Sequence, residues 1–128
     1  GREGARLMGP RGKGSIFFTG ATASVRGGAG YAAFASAKAG LRAAAQSMAR
    51  ELGPKGIHVA HLVIDAGVDT AFVRDRIKEA RGAEAVANLP QDALMNPDSI
   101  AEAYWRLHTQ TRDAWTFELD LRPYGETW

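Results

Sequence analysis

Hydrophobic positions along the chain switch between strand-like and helix-like patterns. The run Ser15-Ile16-Phe17-Phe18-Thr19-Gly20 is short, apolar and held between glycines, which predicts a buried strand. A bend of small residues, Ala21-Thr22-Ala23-Ser24, leads to a turn at Gly27, Gly28 and Gly30. An alanine-rich segment, 31–52, follows and stops at Gly53-Pro54, a helix with its terminator. On it Phe34, Lys38, Leu41, Ala45, Met48 and Leu52 recur at spacings of four and three, the stripe a helix buries against a sheet. The next apolar run, 57–64, predicts a second strand and completes a βαβ unit with a parallel pair.

The remaining pattern is less regular. Ala5, Leu7 and Met8 predict a helix tail broken at Gly9-Pro10. Thr70 caps a helix carrying Phe72, Val73, Ile77 and Ala80 on one side and ending near Gly82. Asn96-Pro97 opens another, with Asp98 in its first turn and Ile100, Tyr104 and Leu107 as its buried stripe. Residues 116–122 alternate polar and apolar, the signature of an edge or interface strand with one wet face. The tail, 123–128, ends in Trp128, an aromatic for inward packing or an interface.

Composition narrows the class. With 128 residues and 45% apolar content the chain can bury a core as one domain, 1–128. The net charge of +2 is scattered, and the densest charged run, 74–81, mixes acids with bases as a solvated helix face does, so nothing calls for nucleic acid. The absence of cysteine excludes disulfide and thiolate chemistry. Neither a membrane-length apolar run nor a signal pattern is present, and the expectation is a cytoplasmic protein with no membrane partner. His58 and His61 have opposite parity on one strand and His108 stands alone, so no metal site is expected. Asp65 follows the second strand at its carboxyl end, where open α/β sheets bind ligands, although a turn-forming Asp is the commoner case.

A lysine on the apolar stripe is unusual, because a buried ammonium needs a partner; near a helix start it can also extend its nitrogen to water. With Ala21, Phe34 and Lys38 in register, the segment 14–70 resembles the second half of a short-chain dehydrogenase/reductase. That family has Ser, Tyr thirteen residues on, and Lys four residues further. Lys38 matches, whereas Phe34 takes the Tyr position and Ala21 the Ser position. The family's Pro-Gly-x-x-x-Thr segment, which lines the nicotinamide, resembles Ala66-Gly67-Val68-Asp69-Thr70, with Pro replaced. The chain is similar to a subgroup with Phe in place of the catalytic Tyr.

The resemblance implies an α/β fold, the C-terminal part of a Rossmann-like doubly wound parallel sheet with about three strands and flanking helices. The dinucleotide fingerprint would then belong to an N-terminal half outside these residues, and the glycines at 27, 28 and 30 lack its spacing. The cofactor implied is NAD or NADP, held partly by Lys38, Ala66, Gly67, Val68 and Thr70. In the family the Tyr delivers a proton to the forming alkoxide, the Lys lowers its pKa, and the Ser donates to the same oxygen. Phe34 and Ala21 have neither proton nor donor. Tyr31 lies two helical turns, ~10 Å, from Lys38. In an extended segment Thr22 would face away from Ala21, and Ser24 at the bend would bond local backbone.

Two functional expectations therefore stand. One is an NAD(P)-dependent oxidoreductase acting on a carbonyl or alcohol. The other is a catalytically impaired relative that serves cofactor binding or assembly. Family likeness also implies a homo-oligomer, a dimer through the 31–52 helix, and places the segment after Thr70 over a small-molecule substrate of unspecified identity.

Overall fold

The computed structural model describes residues 1–126. Trp128, with the packing role expected of it, lies outside the described residues. The elements run α1 (Arg2–Met8), β1 (Gly14–Thr19), α2 (Ala32–Leu52), β2 (Ile57–Ile64), α3 (Ala71–Arg81), α4 (Ala83–Ala87), α5 (Pro97–His108) and β3 (Glu118–Leu121). Three strands form one parallel sheet in the order β1-β2-β3. The expected α/β class, a Rossmann-like fragment, is the observed one.

Every position of β2 is buried, because it has a strand on either side and helices on both faces. Its even and odd residues serve different cores. Ala60, Leu62 and Ile64 pack with Leu107 of α5 and with Phe17, Ile100, Tyr104, Leu119 and Leu121. Ile57 and Val59 pack with Leu52 and Met48 of α2 and with Ala5, Met8, Ile16 and Phe18. Period-two alternation on a central strand thus lays one helix layer on each side of the sheet.

Some details depart from the sequence expectation. Phe34 is 47% exposed rather than part of the buried stripe, since the first turn of α2 overhangs the end of β1. Phe72 is 70% exposed, and within α3 only Val73 and Ile77 are half-buried. β3 covers only Glu118–Leu121 of the expected 116–122. Gln110 takes Thr116 away from the ladder, accepting from its backbone N (2.8 Å) and donating to its hydroxyl (2.8 Å). α4, five residues long, was not expected. Thr70 and Asn96 do cap α3 and α5, accepting from the backbone N of Val73 (3.3 Å) and Asp98 (2.8 Å).

Candidate active site

The carboxyl end of β1 is built around a close approach. Gly20 continues the ladder by donating to the Leu62 carbonyl (2.6 Å). A Cβ at Gly20 would stand 2.3 Å from His61 Nε2 and 2.7 Å from Ser24 Oγ, so only glycine leaves room for the imidazole. Ala21 is extended, and a single 3₁₀ turn at Thr22–Ser24 follows. Ser24 is buried and accepts from the Ala21 backbone N (3.1 Å), the local bond expected of a serine at a bend. Thr22 starts the turn instead of extending the strand, so the alternation expected of it fails. Its hydroxyl donates to Asp65 at the end of β2.

Lys38 projects from α2 toward this end, and its Nζ donates to the Thr19 carbonyl (3.0 Å). The ammonium is therefore anchored on β1 rather than simply extended to water. One turn earlier, the Phe34 ring lies 5.8 Å from Nζ, a cation–π distance. Tyr31 meets Phe34 edge to face, with centroids 6.5 Å apart, and is 63% exposed. Thr22, Ala23, Arg26, Gly27, Gly28, Tyr31 and Phe34 line a cavity of 240 Å³. The glycine turn leaves the two rings uncovered over this hollow.

Ala66, Gly67, Val68 and Thr70 leave the carboxyl end of the neighbouring strand, β2. The segment is bound to the loop before α5: Met95 N donates to the Gly67 carbonyl (2.9 Å) and Asp69 N to the Met95 carbonyl (2.8 Å). A Cβ at Gly67 would come within 2.9 Å of Leu94 and 3.2 Å of Val73, which accounts for glycine there. Arg74 grips Asp69 through two bonds (2.5 and 2.8 Å) and holds its carboxyl below the usual range. The fold thus places Ala21, Phe34 and Lys38 around one strand end and 66–70 at the next. Among the described residues, the hydrogen bonds of 66–70 run within the segment, to the Met95 loop and to α3, none to Lys38.

The comparisons with known proteins come to the same region of chain. A family model described as enoyl-(acyl carrier protein) reductase matches residues 2–116. The (21S)-21-acetoxyl-apo-melianone synthase SDR of Melia azedarach is 33% identical, over 80% of this chain and 38% of its own. The chain belongs to the short-chain dehydrogenase/reductase family. A solved short-chain dehydrogenase from Rhodopseudomonas palustris is 52% identical, with a TM-score of 0.68, over 96% of this chain and 44% of its own. A closed-form serine dehydrogenase complexed with NADP+ superimposes with a TM-score of 0.81 at 20% identity, over 99% of this chain and 51% of its own, and shares the fold. This family member spans about two fifths to one half of the length of these relatives.

Side chains that the sequence did not single out support this end of the sheet. Arg42, one turn after Lys38, holds Glu118 of β3 through two bonds (2.5 and 2.8 Å). Glu118 also pairs with His61 Nδ1 (3.0 Å), so helix, central strand and edge strand are tied together. Arg42 chiefly, and His61 after it, hold the Glu118 carboxyl below its ordinary value against the opposing effect of burial. The i, i+4 relation of Lys38 and Arg42 was the available signal. Asp65 is 3% exposed, accepts from Thr22 and lies 3.7 Å from Arg122. It joins the ends of all three strands rather than forming a turn. His58 and His61 lie on opposite faces, against Trp115 and Glu118 respectively.

Proposed function

We propose that this chain forms part of a nicotinamide-cofactor site and is impaired in carbonyl reduction because no proton donor occupies the Phe34 position. The observation that carries this reading is the pairing of a retained Lys38 with a phenyl ring 5.8 Å from its nitrogen. An ammonium has three donors, and the Thr19 carbonyl takes one of them. Two are left for vicinal ribose hydroxyls, so Lys38 fits NAD or NADP. Gly67, with Ala66, Val68 and Thr70, would flank the nicotinamide from the end of β2. When bound, the nicotinamide supplies or accepts a hydride. Around it Phe34 offers an apolar ring and gives no proton. Ala21 lacks a hydroxyl, Ser24 accepts from Ala21 N, and the Thr22 hydroxyl is engaged by Asp65.

The reading as an active oxidoreductase on a carbonyl or alcohol differs in needing a substitute acid. Tyr31 favours it, because it lines the cavity with Phe34 and its phenol is exposed. Assembly as a homo-oligomer through α2 is supported by its outward alanines, among them Ala33, Ala37 and Ala44. A fluorescence titration of the complete gene product with NADH and NADPH, followed by reductase assays, tests both readings. Saturable binding, weakened about tenfold or more by Lys38→Ala, with turnover gained only in Phe34→Tyr/Ala21→Ser, is expected. Turnover in the natural sequence that Tyr31→Phe abolishes would replace the first reading by the second. Absence of binding would refute both.

A further inference from the structure

A second cavity lies at the opposite, amino-terminal end of the sheet. Arg11, Lys13, His58, Arg112 and Trp115 are among the residues that border its 390 Å³. β1 is six residues long, so this cavity lies ~20 Å from the Lys38 end. Nothing in the proposed cofactor chemistry uses it.

Its walls have one sign of charge. Arg11, Lys13 and Arg112 contribute cations, and among the described residues no carboxylate borders it. Among the described residues Arg11 and Lys13 have no hydrogen-bond or ion-pair partner. Arg112 donates one nitrogen to the Gly12 carbonyl (2.7 Å), which fixes the guanidinium beside the β1 entrance. A concave wall of like charges focuses positive potential, and guanidinium groups match the oxygens of phosphate.

His58 adds an independent observation. It is 3% exposed, stacked on the Trp115 indole at 4.9 Å and 4°, with Phe17 at its edge. Its Nε2 lies 2.8 Å from the Thr116 carbonyl; a carbonyl only accepts, so Nε2 holds the proton. Among the described residues Nδ1 has no partner. A buried ring nitrogen without a partner at the border of a cationic pocket is a polar group that the described residues leave unsatisfied.

We propose that this cavity binds a small phosphomonoester, its phosphate oxygens on Arg11, Lys13 and Arg112 and its organic group along Trp115. The volume exceeds the need of a bare phosphate and falls in the range of small-ligand sites. Calorimetric titration of the 128-residue chain with phenyl phosphate, inorganic phosphate and sodium chloride at matched ionic strength tests it, with folding checked by circular dichroism. Phenyl phosphate should saturate and bind more tightly than inorganic phosphate. Arg11→Ala/Lys13→Ala, two exposed positions, should weaken it by about tenfold or more, while Arg76→Ala on α3 should leave it unchanged. Saturation by chloride alone, equal loss in Arg76→Ala, no loss in the double variant, or no saturation below roughly 10 mM would each overturn the proposal.

Discussion

The tightest packing at the candidate site is the approach of His61 to Gly20, and Gly20→Ala tests it. The added methyl would lie 2.3 Å from Nε2, 2.6 Å from Cε1 and 2.7 Å from Ser24 Oγ. Neither side chain is free to retreat. His61 is fully buried with Nδ1 on Glu118, and Ser24 is bonded to Ala21. Gly20 is not among the glycines with positive φ, so the conflict is steric and not one of backbone conformation. Overpacking costs ~1–3 kcal/mol, and a displaced His61–Glu118 bond adds ~1 kcal/mol. The sum, about 2–4 kcal/mol, corresponds to a fall in melting temperature of about 10 °C for a chain of this size. Thermal and urea unfolding followed by circular dichroism measure it. In a His61→Ala background the same substitution should cost less by about 1 kcal/mol or more, because only the Ser24 contact is left. Equal costs in both backgrounds would refute the argument. So would stabilisation, which is the usual effect of Gly→Ala where a methyl fits.

Two further outcomes follow from contacts already described. Glu118 is held below its ordinary pKa of 4.5, so its share of stability is present above that value and lost as pH falls through the lower, folded one. Glu118→Gln should therefore be less stable at neutral pH and show a flatter decline below about pH 4.5, measured by urea unfolding across pH; an unchanged acid limb would count against the Arg42–Glu118–His61 link. Asn96→Ala removes the α5 cap and should cost about 1 kcal/mol, whereas Asn96→Asp should retain most of it.

The main elements were legible because their periods are long and clean. β1, α2, β2 and α5 carry repeated apolar positions bounded by glycine, proline or a capping residue, and each lies within a residue or two of expectation. β3 was harder to bound, since alternation through 116–122 cannot reveal that Gln110 binds Thr116. Phe34 and Phe72 misled for another reason. Spacing places a side chain on a stripe, but burial also requires a neighbour opposite, and both lie where the sheet has ended. The family likeness rested on Lys38, Gly67 and Thr70 within a strand, turn and helix of the family's order. The ties among Arg42, Glu118 and His61, and between Thr22 and Asp65, join residues 43–76 positions apart and leave no trace in local pattern.

The uneven burial of the chain sets how its backbone amides exchange with solvent. β2 is buried at every position and bonded on both sides, so its protons exchange only when the whole sheet comes apart. α3 and α4 contain no buried residue, and the segment 71–87 lies beyond the point where Gly67 and Asp69 pair with Met95, tied to that base by Val73 on Thr70 and Arg74 on Asp69. Deuterium should enter these two helices through small local openings, orders of magnitude before it enters β2. Such local opening would uncover the carboxyl edge of the sheet while the core beneath it stays folded.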